Sequence, residues 1–547
     1  MNRLSSKLRW SAPCGWLGFV VVFFVAPNTA QALFHPANHS PRLAPSAHLE
    51  VTLQLLEGAT EEFEDFHEGT SRQCGTSEIL QLDRAWEQLD PPQKERLRNS
   101  LSSPARGGSG TSGRGEFDER GTISCFLSLS NQVESEHFSI QWGDSGSVSI
   151  SDAEAMLANL EETRTTFLEA GYFEPLGNPN YRVPVYLGNS GGAAPSIGFD
   201  GGYATVCASY QHAYVVLSGI DSSTESLDVV NHELFHTVQM GSPNPYEVDS
   251  FYWEASAVWA EKLAAPDRTY YVWPLPSYTA NTAWPLGLDN EIASNDGFLH
   301  KYAMFILSSY LDEFAPSGDS ALLEVWNGGG AGLEDRLNSF WAAEKIDTTF
   351  AKQFGHFTSH VSFMDFDHQE AYLNYPVVAH GSLTPDEPLT ETDPPDTYGS
   401  HFYEVDLEEA GGDRTKLQIV LDAPQGWVLA LATSDNGTTV QSGVWVVNEE
   451  GVAEGSALDV DELGEQTGWV VVTNTGTSDA EYSLSVQFVE PSPDDYDDLG
   501  SEGQGCSGCG NDAPKPHPFE HGSNLALALL LIVPGISRRW RLDRITQ

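Results

Sequence analysis

His232 and His236 are the residues whose types and spacing most clearly support chemistry. They stand four positions apart in the run His-Glu-Leu-Phe-His, and residues at i and i+4 share one face of a helix. Two imidazoles placed in this way can hold one zinc ion between them. Glu233 directly follows the first histidine, where its carboxylate can take a proton from a water that the zinc activates. The spacing therefore predicts the centre of a zinc hydrolase site.

The sequence around this run is typical of a buried amphipathic helix. Apolar residues recur at helical spacing, namely Leu227, Val230, Leu234, Phe235 and Val238. Polar residues at 221–224 can begin the helix, and Gly-Ser-Pro at 241–243 can end it. The alternative is a helix with one solvated histidine and one histidine satisfied within the core.

A catalytic zinc site needs a third protein ligand, and Glu254 is the predicted one. It stands eighteen positions after His236, which allows a turn and then an antiparallel helix that returns a carboxylate to the metal. Glu247 and Asp249 are competing carboxylates, but they fall in the expected loop, where nothing fixes them over the zinc. Glu261 lies two helical turns after Glu254, where it either orients a ligating histidine or is a solvated surface charge.

The pattern that would supply a third histidine instead is absent from this sequence. That pattern requires Gly three and His six residues after His236, and Gln239 and Ser242 stand at these positions. A carboxylate is therefore the expected third ligand.

The runs at 232–236 and 253–261, the second reading Trp-Glu-Ala-x-Ala-x-Trp-x-Glu, resemble the glutamate-zincin (gluzincin) clan of metallopeptidases. A closer resemblance is to a family of predicted secreted metalloproteases found in myxobacteria and their relatives. It covers roughly residues 130 to 330 and extends loosely to Cys74-Gly75-Thr76, to 136–142 and to the helix near Tyr302.

The resemblance implies an α+β fold with a zincin-like catalytic domain. It also implies that His232, His236 and Glu254 bind Zn²⁺ and that Glu233 is the general base. Tyr302 and His300 are candidates for stabilising the oxyanion of amide hydrolysis, because a phenol or an imidazole can donate to it. A core tyrosine is the alternative for Tyr302, and neither residue is assigned to the site.

The N-terminal residues 1–32 are typical of a secretory signal peptide. Three basic residues precede an apolar run at 16–25, and Ala-Gln-Ala follows at 30–32. The chain is therefore expected to be exported.

The C-terminal residues 505–547 resemble the MYXO-CTERM type of sorting signal. Gly-Cys-Ser-Gly-Cys-Gly precedes a spacer, an apolar run at 525–536 and a cluster of arginines. The resemblance implies transient contact with a membrane sorting machinery and a final location at the cell surface, associated with the outer membrane, or outside the cell. Zinc binding by Cys506 and Cys509 is the alternative, but no second pair completes four ligands.

The charge of the chain excludes some classes of partner. Asp and Glu number 78 against 27 Lys and Arg, for a formal net charge of −51. Such a surface repels nucleic acid and anionic membranes, so neither is an expected partner. The expected partner is the protein or peptide substrate of the predicted metallopeptidase. The sequence makes no prediction of oligomeric state.

Six cysteines are few for a chain of 547 residues. Cys74, Cys125 and Cys207 lie between the two signals, and export permits a disulfide. Cys74 with Cys125 is a reasonable pair and Cys207 would then be a buried thiol, but three candidates leave the pairing open.

Residues 33–130 form a polar leader with a Gly/Ser-rich linker at 105–115. The leader is interpreted as a propeptide that assists folding or blocks the cleft, and a flexible arm is the alternative. The catalytic domain is expected over 131–390, with strands at 137–142, 182–187 and 213–217, a helix at 151–170 and a further helix at 299–314. The segment 203–217 is expected to form the cleft edge that pairs with extended substrate.

Short apolar or alternating runs between about 395 and 490, separated by turn residues, predict an all-β sandwich that serves as an accessory domain. Residues 491–504 form an acidic linker before the sorting signal. The expected function is that of a secreted, cell-surface-sorted zinc-dependent metalloendopeptidase. The alternatives are a non-catalytic surface adhesin with a structural or vestigial zinc site, and hydrolysis of a non-peptide amide or ester.

Overall fold

The computed structural model describes residues 73–74, 76, 79, 82, 88–94, 96, 129–145, 148–178, 180–192, 194–195, 197, 201–206, 212–219, 224–288, 294–407, 416–435, 438–457, 467–476 and 480–492. The predicted signal peptide and sorting signal lie outside these residues, as do Cys125, Cys207 and nearly all of the predicted acidic linker. None of the helices within the described ranges combines the length and apolarity that a membrane span requires.

A six-stranded mixed sheet begins the described fold. In spatial order its strands are β1 (Gln73–Cys74), β5 (Gly201–Val206), β6 (Ala213–Leu217), β4 (Val183–Leu187), β3 (Phe138–Trp142) and β2 (Asn131–Glu134). β3, β4 and β6 are parallel, and β5 runs antiparallel to β6. β4, β5 and β6 are buried at every residue, which requires cover on both faces of the sheet. The predicted strands at 137–142, 182–187 and 213–217 are confirmed.

Two helices pack on the sheet, and a third packs on these two helices. Helix α1 (Ile150–Glu169) begins where the Ser149 side chain accepts a hydrogen bond from the Asp152 amide, and it confirms the predicted helix at 151–170. Helix α2 (Thr224–Gly241) ends at the predicted glycine. Helix α3 (Ser250–Ala264) follows after a 3₁₀ turn at Pro245–Glu247.

Helix α3 is the central helix of this part of the fold. Its residues 251–262 are all buried, as expected for a helix surrounded by other elements. The helices that follow it are α4 (Leu275–Thr279), α5 (Asn295–Ala303), α6 (Phe305–Glu313), α7 (Asp319–Asn327), α8 (Gly332–Glu344), α9 (Phe350–Phe363) and α10 (Gln369–Tyr372). The helix predicted over 299–314 is two helices, because the chain breaks from helical geometry at Met304.

Two antiparallel sheets follow and share a second hydrophobic core. One contains β13 (Val452–Ala457), β10 (Lys416–Asp422), β15 (Tyr482–Val489) and β8 (Leu389–Glu391). The other contains β12 (Thr438–Val446), β11 (Val428–Asp435), β14 (Thr467–Thr473), β9 (Ser400–Asp406) and β7 (Gly381–Leu383), of which β7 is parallel to β9. Leu417 and Ile419 from the first sheet join Val405 and Leu429 from the second in that core. The chain is thus α+β, and its β region begins near residue 381 rather than 395.

Helix α9 joins the β region to the rest of the fold. Gly355 in this helix lies so close to the sheet that an added Cβ would come within 2.7 Å of Val428 and 2.6 Å of Val444. Residues of β9, β11 and β14 accordingly belong to the same apolar core as the helices. The β region therefore packs directly on the helical part.

Candidate metal centre

Helices α2 and α3 bring the three predicted ligands together. His232 and His236 lie on the face of α2 that α3 covers, and Glu254 lies in the first turns of α3. Glu254 Oε2 is 3.1 Å from His232 Nε2 and 3.4 Å from His236 Nε2. All three side chains are buried. The convergence expected from the spacing of 232, 236 and 254 is therefore observed.

The separations of these atoms suit a tetrahedral zinc ion. Bonds of about 2.1 Å at tetrahedral angles place neighbouring ligand atoms about 3.4 Å apart. Two imidazole nitrogens and a carboxylate oxygen are also donors that zinc prefers. The arrangement of His232, His236 and Glu254 therefore fits the predicted cofactor.

Each histidine is oriented through its Nδ1 atom, which leaves Nε2 facing Glu254. His232 Nδ1 donates to Glu261 Oε1 at 2.9 Å, and His236 Nδ1 donates to Gln239 Oε1 at 2.6 Å. Gln239 Nε2 in turn donates to the Trp253 carbonyl at 2.9 Å and to Ser256 Oγ at 3.0 Å, so its oxygen must face the histidine. Glu261 was predicted either to orient a histidine or to be a solvated surface charge, and the structure shows the first.

The electrostatics of the metal-free site favour a bound cation. Burial lowers the pKa of His232, but hydrogen bonds with Glu254 and Glu261 outweigh burial and raise that pKa to about 10. Burial raises the pKa of Glu254, but the charge of His236 and the hydrogen bonds with both histidines hold it well below its usual range. The carboxylate therefore stays ionised, and a divalent cation can take the place of the proton on His232.

Glu233 lies beside the three ligands and is wholly buried. Its Oε2 accepts a hydrogen bond from Thr76 Oγ1 at 3.2 Å, whereas its Oε1 makes no hydrogen bond with the described residues. Burial raises the pKa of this carboxyl, although the two histidines oppose the shift. Gly202 on β5 packs against it, since an added Cβ would lie 2.9 Å from Glu233 Cγ.

Cys74 supplies a fourth potential ligand that the sequence did not predict. Its Sγ is 3.2 Å from His236 Nε2, and one ligand atom from each of Cys74, His232, His236 and Glu254 lies within 4.8 Å of the others. The thiol is free and buried, so the disulfide considered for Cys74 with Cys125 is not formed. Burial raises the pKa of this thiol well above its usual value, and the charges of Glu233 and Glu254 add to the shift. The Cys-Gly-Thr run at 74–76 was the available signal in the sequence.

The two candidate oxyanion donors occupy different surroundings. Tyr302 lies at the site, where its hydroxyl donates to the Cys74 carbonyl at 2.9 Å and its ring centre is 6.2 Å from that of His232. His300 lies elsewhere, with its ring centre 5.9 Å from that of Tyr278 and 5.7 Å from that of Trp284. Burial lowers the pKa of His300 to about 4. Of the two candidates, Tyr302 is therefore the one that lies at the candidate metal centre.

The competing carboxylates lie away from the metal-binding group. Glu247, in the 3₁₀ turn, pairs with Arg336 at 3.7 Å. Asp249 precedes α3 and accepts a hydrogen bond from the Leu333 amide at 2.7 Å. Both carboxylates serve the loop between α2 and α3 and its contacts with α8.

A second group of possible ligands, His380, Glu391 and His401, lies in the β region. The two imidazole rings stack with centres 3.7 Å apart and planes 8° from parallel. A metal binds in the plane of an imidazole ring along its nitrogen lone pair, so two parallel stacked rings do not converge on one ion. His401 Nδ1 and the Tyr482 hydroxyl are instead joined by a hydrogen bond of 2.7 Å. Ring stacking and hydrogen bonds therefore account for the placement of this group.

No protein-family model matches the chain, and no curated protein matches it significantly.

Proposed function

We propose that this protein is a zinc-dependent metalloendopeptidase with a zincin-like catalytic domain, exported and sorted to the cell surface. The observation that supports it is the convergence of His232 Nε2, His236 Nε2 and Glu254 Oε2 next to a buried carboxylate. Glu254 Oε2 lies 3.1 and 3.4 Å from the two nitrogens, and Glu233 directly follows the first histidine on the same helix. A structural zinc site needs no base at that position, whereas a hydrolytic one does.

His232, His236 and Glu254 would hold the metal, and Glu233 would move the proton. Zn²⁺ in this site would polarise a substrate carbonyl and lower the pKa of a water. Glu233 accepts the proton of the attacking water and passes it to the leaving amine. Its burial raises its pKa, which makes the carboxylate a stronger base at neutral pH.

Strand β5 would align an extended peptide beside this site. Its outer edge is the one that pairs with the two-residue strand β1, through Gln73 opposite Gly201 and Cys74 opposite Gly202. An extended substrate can use the same backbone groups when that edge is open. The Tyr302 hydroxyl, which now donates to a backbone carbonyl, would then donate to the substrate oxygen as its negative charge develops.

The alternative is a surface adhesin with a structural zinc site, and one observation favours it. A structural zinc ion has four protein ligands and no open position, and Cys74 completes such a set here. The two proposals differ in whether Glu233 is needed for a reaction.

The deciding experiment compares Glu233→Gln with Glu154→Gln, the same change at an exposed position of α1. Zinc content and casein hydrolysis are measured for both variants after removal of the leader. Glu233→Gln should retain zinc and lose hydrolysis by roughly 10²-fold or more, because the general base is lost. Glu154→Gln should resemble the unmodified protein, and chelation should abolish its activity. The peptidase proposal would be contradicted if the two variants had equal activity. It would also be contradicted if the zinc-loaded protein did not hydrolyse casein.

A further inference from the structure

The leader reaches into the metal centre through three described residues. Gln73 and Cys74 form β1 at the outer edge of β5, and Thr76 follows them into the site. Cys74 and Thr76 are both buried. Each is far along the chain from the groups it contacts, since Cys74 and His236 are separated by 162 positions.

Each contact of this segment engages a group that hydrolysis would need. Cys74 Sγ lies 3.2 Å from His236 Nε2, and the Cys74 carbonyl accepts the hydrogen bond of Tyr302 at 2.9 Å. Thr76 Oγ1 donates to Glu233 Oε2 at 3.2 Å and accepts from the Ala204 amide at 2.7 Å. These contacts therefore occupy four groups at the same time: the proposed ligand His236, the proposed base Glu233, the proposed donor Tyr302 and the edge of β5.

The position of the sulfur suits a bond to the same metal ion. A zinc–sulfur bond of about 2.3 Å and a zinc–nitrogen bond of about 2.1 Å at a tetrahedral angle place the two ligand atoms about 3.6 Å apart. The observed separation of 3.2 Å from His236 Nε2 is close to that value. Cys74 also forms no disulfide, so its sulfur is available.

We propose that Cys74 is the fourth ligand of the metal and that Gln73, Cys74 and Thr76 together act as an intramolecular inhibitor that keeps the enzyme latent. The inhibitory part rests on the proposed function, whereas the ligand assignment does not. When the sulfur binds, the thiol proton passes to solvent and the thiolate takes the position that a water would need. Hydrolysis needs a water at the metal and a free base. The sulfur of Cys74 would take the place of that water and Thr76 donates a hydrogen bond to Glu233, so the segment binds without being cleaved. Removal of the leader then opens the site.

The ligand assignment is tested on the full chain loaded with zinc, by X-ray absorption spectroscopy at the zinc edge. The expected result is one sulfur at about 2.3 Å in the unmodified protein and none in Cys74→Ser. Cys207→Ser is the matched control and should keep the sulfur. A shell made only of nitrogen and oxygen in the unmodified chain overturns the proposal. This overturning result needs no variant, so the proposal stays falsifiable even if Cys74→Ser fails to fold.

The inhibitory role is tested by casein hydrolysis with the same three full-length proteins. Cys74→Ser should be faster than the unmodified chain and than Cys207→Ser by roughly tenfold or more, because the fraction of open sites rises. A sulfur signal in the unmodified chain together with equal rates in the three proteins overturns inhibition. A sulfur signal with no hydrolysis by any of the three proteins supports the ligand assignment and overturns the peptidase proposal, so the two failures are distinguishable.

Discussion

Glu261 accepts a hydrogen bond from His232, whose Nδ1 lies 2.9 Å from Glu261 Oε1. The carboxyl is buried, and burial raises its pKa to about 7 in spite of the opposing hydrogen bond with His232. Because Nδ1 is engaged in this way, Nε2 of the same ring faces Glu254 and the proposed metal. A carboxylate behind a ligating imidazole fixes its orientation and makes it a stronger ligand.

Replacement of Glu261 by Ala should therefore weaken zinc binding by about 10–100-fold, the usual effect of losing such a partner. Competition with a chromophoric chelator measures the affinity. Glu344→Ala, at an exposed position at the end of α8, is the control and should bind zinc normally. An unchanged affinity in Glu261→Ala would show that this hydrogen bond does not support the ligand.

Gly202→Ala should displace Glu233, the proposed general base, while leaving the proposed metal ligands in place. The new Cβ would lie 2.9 Å from Glu233 Cγ and 2.9 Å from Leu217 Cδ2, so Glu233 must move. A displacement of about 1 Å at a reacting group can lower the rate by about 10²-fold. Casein hydrolysis and zinc content of the leader-free protein measure the two effects separately.

Gly219→Ala is the control for this substitution, because no atom of the described residues lies within 4 Å of its added Cβ. Its activity should be unchanged. If Gly202→Ala also retained full activity, Glu233 would not need its observed position against β5.

Tyr302→Phe should lower kcat of the leader-free protein by about 10²–10³-fold with little change in KM, as for other losses of an oxyanion donor. The hydroxyl that is removed is the one that donates to the Cys74 carbonyl in the present structure. Tyr278→Phe is the matched control, since the Tyr278 hydroxyl is buried without a hydrogen bond to the described residues. A rise in KM with kcat unchanged would contradict an oxyanion role for Tyr302.

The free energy of unfolding of the metal-free protein should decrease as the pH rises from about 6.5 toward 10. The pKa of His232 is raised to about 10 in the folded state, above its usual value of 6.5, so the protonated ring stabilises the fold. That contribution is complete below about pH 6.5 and is lost as the pH approaches 10.

Bound zinc replaces this proton, so the zinc-loaded protein should not show the same loss. Thermal unfolding of both forms between pH 6 and pH 10 measures the difference. Parallel pH profiles of the two forms would show that His232 is not protonated in the metal-free site.

Much of the site was predictable from the sequence because it depends on local geometry. On a helix, the spacing of His232 and His236 places both imidazoles on one face, with Glu233 beside them. The polar segment after Gly241 predicts the chain reversal that brings Glu254 back to this face. Strands such as β4 and β6 followed from their continuous apolar runs, and the alternating burial of β10 matches its sequence pattern. The short strands β7 and β8 lacked such a pattern and were not predicted.

What the sequence by itself determined was the set of elements and the residues that any one helix or turn aligns. Only the tertiary structure decided that Cys74 lies 3.2 Å from His236, that Gln239 and Glu261 each hold a histidine, and that Tyr302 rather than His300 faces the site. The physical reason is that these partners meet through packing between separate elements. Periodicity along the chain carries no information about which distant segments share a buried space, whereas the requirement to fill that space and satisfy its polar atoms decides it.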